Sequence, residues 1–439
     1  SLSSGRPAGR PVPATSPHEE RSPRTDSVRL ALVALSAGTA LWIELRFFDL
    51  RIFYHWDVWL SADPNTYLQV FAIEGDSWLR HVALGPLVYD VVELLALALG
   101  ALGLTDGTAV AVRIWLALLV VPAAAAVRTL LLFEVFRRLT DRAWVGGALC
   151  LLDIAAFATV TIGAVPESYP LSAACIAAMY WLMTEDTTPR PSVRVGLWAT
   201  LGALATGITT TNVLPFAVLF GIDLYRRRAP MWASSVTAAK TLALSAAIFL
   251  TYSLVHPFAR STMLELDAQG AANEELVRVP SGEMAGMIAW SMGHTFIAPP
   301  PVLADSWTGP ERNADYLKQI TYYPPYTHTW SSWWRALVTM AVIALGIVGH
   351  SRHRNAVTWL AAPLLVLAGN FGLHLFFGDE FILYAMHWTS SMVLLVGGLA
   401  LLSGRLQRVG SVVLALFVAL TVANSWILLS DMLQLLELM

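Results

Sequence analysis

Of the 28 basic side chains in this 439-residue chain, only Lys240 and Lys318 are lysines. Cysteine is as scarce. Cys150 and Cys175 both lie in apolar stretches and read as packing residues, so no disulfide framework is implied. Charge as a whole is thin: charged residues make up 13% of the chain, against about 25% in a typical soluble domain. No basic stripe exists outside short loops, and nothing points to nucleic acid as a partner. There is no Walker A loop, no glycine fingerprint after a strand, no zinc-ligand spacing and no Gly-x-Ser-x-Gly elbow.

What the chain has in excess is apolar surface. It is 56% hydrophobic, with a mean hydropathy of +0.58, which predicts an all-α polytopic membrane protein. A spanning helix needs roughly 20 apolar residues. Segments 29–50, 108–136, 144–163, 169–185, 193–209, 212–225, 234–256, 335–350, 356–377, 384–403 and 409–430 qualify, giving about eleven spans. Residues 1–28 are rich in Pro, Ser, Gly and Arg and predict a disordered tail. The first apolar segment reads as a retained anchor.

Arginine sets the expected orientation, because short cytoplasmic loops collect positive charge. The arginine-rich loops are "RRLTDR" (137–142), "PRPSVR" (189–194), "YRRRAP" (225–230), "HSRHRN" (350–355) and "GRLQR" (404–408). The alternating loops "AVPESYP" (164–170), "GITTTN" (207–212) and "FGDEF" (377–381) hold no Lys or Arg. This alternation predicts a cytoplasmic N-terminus, an outer C-terminus and two large outer loops, 51–107 and 257–334. Segment 84–104 is long enough to cross, but the alternation leaves no crossing for it. With Asp90 and Glu93 on one helical face, it is expected to lie at the outer interface or re-enter. No cytoplasmic segment is large enough for a nucleotide-sugar domain.

Several polar residues stand out on the outer side. In "SADPNTYLQV" (61–70), Pro64 stops a helix at Ala62–Asp63. Asp63 there is either a helix cap or a carboxylate held at the membrane surface. Asp57, within "HWDVW", is its rival. Glu167 is a lone acid in a short turn, and Asp379 and Glu380 end one span before His387, with His374 preceding them. Outer cations are Arg80, Arg260, Arg278, Arg312 and Lys318. Each has a plain alternative reading, as a cap, a solvated turn, a core histidine or a snorkelling interfacial cation. Arg113, Arg128, Glu134, Asp153, Asp223 and Lys240 are too few for a proton relay; Arg113 and Arg128 are expected to snorkel or pair inside the bundle. Asn212 lies at an outer helix break, in "ATGITTTNVLPF" (205–216).

Taken in order, helix 29–50, "ADPNTY" (62–67), "RHVALGPLVYDVVELLALALG" (80–100), "VRIWLALLVVPAAAAVRTLLLFEVFRRLTDR" (112–142) and "IGAVPESYPLSAACIAAMYWL" (162–182) form a pattern. It resembles the GT-C superfamily of integral membrane glycosyltransferases, which use polyprenyl- or dolichyl-phosphate-linked sugars. The resemblance covers roughly residues 29–260; Val82 stands where the family usually has Pro, and 335–439 reads as further transmembrane helices. It implies an inverting sugar transfer at the extracytoplasmic face of a bacterial inner (plasma) membrane. Asp63 would be the base that takes the acceptor proton. Glu167, His81, Arg80, Arg260, Asp379, Glu380, His387 and Tyr67 would bind substrate, and an outer arginine, Arg260 first, would hold the donor phosphate. Whether Asp63 and Glu167 also hold Mg2+ or Mn2+, with further oxygens, stays open. The implied partners are a lipid-linked sugar donor and a glycan, lipid or protein acceptor. A transporter or lipid flippase is the alternative, for which two related halves would be expected; a non-catalytic membrane partner is a third.

Overall fold

The computed structural model describes residues 23–54, 59–60, 62, 64–73, 81–140, 142–186, 190–228, 230–256, 260, 277–305, 318–321, 330–353, 355–378 and 382–438. In chain order the α-helices are α1 (Pro23–Asp49), α2 (Pro64–Ala72), α3 (Asp90–Ala101), α4 (Val110–Leu118), α5 (Val120–Thr140), α6 (Ala143–Ala155), α7 (Phe157–Thr161) and α8 (Ser168–Thr184). Then follow α9 (Pro191–Ile208), α10 (Val213–Arg226), α11 (Met231–Val255), α12 (Gly282–Gly293), α13 (Trp330–Ser351), α14 (Ala362–His374), α15 (Ala385–Gly397) and α16 (Arg405–Glu437).

Among the described residues, six helical stretches are long and apolar enough to cross a membrane: Thr25–Asp49, Val110–Thr140, Met231–Val255, Trp333–Ser351, Val357–His374 and Arg405–Glu437. The chain is thus a helical membrane protein. Helices also occupy the other expected segments, but they are shorter or interrupted. Ala143–Ala155 and Ala385–Leu401 are apolar yet short.

Two expectations need correction. The helix of the first span begins at Pro23, inside the tail expected over 1–28. Arg29 explains the early start: it pairs with Asp26 at 3.0 Å and with Glu134 of α5 at 3.1 Å, tying the first turns to the bundle. The span expected over 108–136 is present as Val110–Thr140, with an interruption at Leu119 between α4 and α5, because Pro122 has no N–H to offer the Leu118 carbonyl. The run 144–163 is broken at Ala156, which leaves the helical region at φ −54°, ψ 136°. A short ribbon accompanies the helices: β1 (Val302–Asp305) and β2 (Lys318–Thr321) pair antiparallel.

That ribbon also joins the two outer loops. Trp59 bridges to Ile320, and the Leu60 N–H donates to the Ile320 carbonyl at 3.0 Å. The Trp59 indole N–H in turn donates to the Thr161 carbonyl at 3.2 Å. Segment 84–104 becomes a π-turn (Gly85–Tyr89) leading into α3. Asp90 meets His256 Nε2 at 3.1 Å, and Glu93 meets Arg113 at 3.6 Å. Arg128 does pair inside the bundle, with Asp153 at 2.6 Å, and both are buried.

At the crossing of α13 over the turn Gly398–Leu401, a Cβ on Gly349 would run into the Gly398 carbonyl, and one on Gly346 into that of Leu395. Small residues let these backbones touch, which is how helices gain dispersion energy where lipid supplies no hydrophobic drive.

The two kinds of turn separate. Arg138 pairs with Glu185, Arg226 reaches the Met183 carbonyl and Asp186, and Arg194 donates to the carbonyls of Leu182 and Glu185. With its amide oxygen turned to Arg142, Gln407 accepts from that side chain at 2.5 and 2.6 Å. Asn355 shares a cavity wall with Arg226 and Arg228. The arginine-rich turns therefore meet at one end. The turns lacking Lys and Arg meet each other, as follows.

Candidate active site

Tyr67 lies one turn into α2, which begins at the buried Pro64. Its hydroxyl donates to His81 Nε2 at 3.0 Å. On the other side of the ring, His81 Nδ1 is 2.7 Å from the Ile208 carbonyl. A carbonyl only accepts, so Nδ1 carries the proton and Nε2 is left to accept from Tyr67. The same strand of chain is pinned by a bond from the Ala83 N–H to the Gly207 carbonyl, 2.8 Å. Gly207 permits this approach: a Cβ there would sit 2.7 Å from the Ala83 Cβ and overlap the Tyr252 hydroxyl.

The break between α9 and α10 is thus the anchor of His81, and it is polar. Asn212 donates to Ser172 Oγ at 2.9 Å and to the Ala205 carbonyl at 3.0 Å, while Ser172 donates to Thr209 Oγ1 at 3.1 Å. Asn212 Oδ1, Thr211 Oγ1 and Ser168 Oγ are buried without a hydrogen-bond partner.

His387, in the first turn of α15, lies within electrostatic reach of both His81 and His374. It is 1% exposed, and its Nε2 has no hydrogen-bond partner. Rings surround it: Tyr169 at 5.7 Å and Tyr384 at 6.0 Å between centroids. Tyr384 also stacks on His374 at 4.0 Å, and His374 Nδ1 bonds to the Phe377 carbonyl at 3.1 Å. Behind this group, the Trp388 indole donates to Thr295 Oγ1 at 3.1 Å.

The structure therefore brings Tyr67, His81 and His387 into one cluster. Glu167 adjoins it in the chain, buried in extended conformation just ahead of α8, with Tyr169 two residues on. Arg260 is exposed, its N–H bonded to the His256 carbonyl at 2.9 Å, and no hydrogen bond among the described residues joins its side chain to the cluster. Asp63, Arg80, Asp379 and Glu380 lie outside the described residues, as do Asp57 and Arg312. Among the described residues no group of three or more His, Cys, Asp or Glu is arranged for a metal ion. Asp63, one of the two acids considered for Mg2+ or Mn2+, lies outside those residues.

Tyr169, Tyr384 and Thr295 were not singled out from the sequence. "PESYP" and "FILYAMHW" offered the tyrosines, but aromatics are common at membrane interfaces and carry no mark of convergence. Thr295 lies in "MGHTF", where a polar pair interrupts an apolar stretch.

An apolar cavity of about 540 Å³ adjoins the cluster. Helices α3, α4, α5, α8 and α9 line it, with Leu87, Val91, Val127, Cys175 and Leu201 among its walls. Ile208, whose carbonyl holds His81, is one of its lining residues. Hydroxyl, amide and imidazole groups at one point and a greasy groove beside them suit an amphiphile with a polyhydroxylated head.

No protein-family model matches the chain, and no curated protein matches it in sequence.

Proposed function

We propose that the chain is an inverting glycosyltransferase of GT-C type, moving a sugar from a polyprenyl-phosphate donor to a glycan, lipid or protein acceptor. The observation that carries the reading is the apolar groove lined in part by Ile208, the residue whose carbonyl fixes His81. The polyprenyl tail lies in the groove, and the sugar reaches the cluster of Tyr67, His81 and His387. Asp63, next to the buried Pro64, takes the proton of the acceptor hydroxyl as that oxygen attacks the anomeric carbon. The bond from that carbon to the phosphate oxygen breaks, inverting the sugar and releasing polyprenyl phosphate. An arginine, Arg260 or Arg80, stabilises the departing phosphate. Glu167, Asp379 and Glu380 recognise hydroxyls.

In this reading the protein resides in a bacterial inner membrane. Its arginine-rich end and N-terminus face the cytoplasm, about eleven helices cross, and transfer occurs outside. The test is to incubate purified protein with polyprenyl-phosphate sugars and candidate acceptors. Asp63→Asn is expected to abolish release of free polyprenyl phosphate, by about a thousandfold, while Asp57→Asn retains it. Equal activity in wild type and Asp63→Asn would overturn the reading. Solute uptake without sugar transfer would favour a transporter.

A further inference from the structure

The arginine-rich end carries a cavity that the transfer reaction does not use. Its volume is about 890 Å³, and it opens among the ends of α8 and α10, the start of α11 and the turn Asn355–Ala356. Arg226, Arg228, Ser234, Asn355 and Thr358 line it, together with one acid, Asp186. Arg226 is committed: it donates to the Met183 carbonyl and, at 3.0 Å, to Asp186. Arg228 is not. Among the described residues its guanidinium has no hydrogen-bond or ion-pair partner.

The backbone of Arg228 adds an independent observation. Its φ is 49°, in the left-handed region that a side chain other than Gly rarely adopts. The turn at the end of α10 keeps this conformation, with the Arg228 N–H on the Tyr225 carbonyl at 3.1 Å. Strained backbone persists where the surroundings over-determine it, and often marks a binding site. Tyr225, Met231 and Trp232 stand exposed beside the cavity, an aromatic and thioether rim of the kind found at headgroup depth.

Two guanidiniums against one exposed acid leave the wall net positive, with hydroxyls and an amide available for further oxygens. We propose that this cavity binds a phosphate group, with Arg228 as its principal cation and Ser234, Asn355 and Thr358 as supporting polar contacts. Its bearer is an anionic phospholipid or a soluble phosphate ester; both present the same oxygens to a planar guanidinium.

The experiment uses the full chain in phosphatidylcholine nanodiscs, titrated in separate arms with short-chain phosphatidylglycerol and with glycerol 3-phosphate. Tryptophan fluorescence and thermal stabilisation report binding. Arg228→Gly removes the cation while suiting the left-handed backbone, so the turn is kept. Saturable binding of one probe is expected, weakened about tenfold in Arg228→Gly and unchanged in Arg352→Ala, an exposed arginine outside the cavity wall. Binding of phosphatidylglycerol alone identifies a lipid site. Binding of glycerol 3-phosphate, with displacement of the lipid, identifies a soluble ligand. Failure of both probes to bind, or equal weakening in the two variants, would show only diffuse surface charge and overturn the proposal.

Discussion

The two ends of the bundle differ in the charge of their buried polar groups: one is built on a buried ion pair, the other on neutral hydroxyl, amide and imidazole groups. At the arginine-rich end, Asp223 accepts from Arg194 at 2.5 and 2.8 Å, from the Trp198 indole at 2.9 Å and from Arg227 at 3.2 Å. Arg194 spends its remaining N–H groups on the carbonyls of Leu182 and Glu185. At the histidine-rich end, His387 Nε2, Ser168 Oγ, Thr211 Oγ1 and Asn212 Oδ1 are buried with no hydrogen bond. A buried polar atom without a partner costs about 1–3 kcal/mol. At the first end Asp223 and Arg194 clamp helix termini together, and among the described residues Thr140 Oγ1 and His350 Nδ1 are its buried atoms without a partner. The second keeps spare bonding capacity, which is what a site that must seize hydroxyl groups requires.

This contrast can be broken in order of effect. Asp223→Ala strands the buried Arg194 charge, a loss of about 3–5 kcal/mol; the protein is expected to purify poorly and to melt far below wild type in detergent. A wild-type Tm for that variant would remove the clamp. His387→Ala, at the other end, is expected to lower sugar transfer about a hundredfold while leaving the Tm in place. A drop in Tm with transfer intact would make His387 a packing residue. Ala178→Phe fills the groove and should raise KM for a long polyprenyl donor about tenfold, with little change for a two-isoprene donor. An equal rise for both donors would detach the groove from the tail. The smallest effect is Tyr67→Phe, which deletes the bond to His81, worth about 1 kcal/mol. It should reduce transfer about fivefold and hardly move the Tm.

Much of the bundle could be read from the residues, because runs of apolar side chains and arginine-bearing turns are local signals. The interruption at Leu119 was passed over when 108–136 was read as one span, although "VVPAAA" puts Pro122 into a first turn. The break at Ala156 left no such mark: "DIAAFA" holds no Pro or Gly. Glu44, inside "WIELRFF", was passed over in reading that segment as an anchor, yet it is fully buried and neither oxygen has a partner. Tyr67, His81 and His387 were chosen from separate segments, and their convergence was hidden because main-chain carbonyls make it. Ile208 holds His81 and Phe377 holds His374; a carbonyl leaves no trace in residue identity. The same holds for the ribbon, where "VLAD" and "KQIT" are too short and too polar to announce a strand pair.

The main-chain bond from Leu60 to Ile320 bears on how the molecule is made. Its donor leaves the ribosome early and its acceptor late, after most of the helices have been threaded into lipid. Until the second partner emerges, the Leu60 N–H waits without it. A polypeptide released ahead of that moment lacks this link between its early and late segments, and correct assembly can be scored at this single junction.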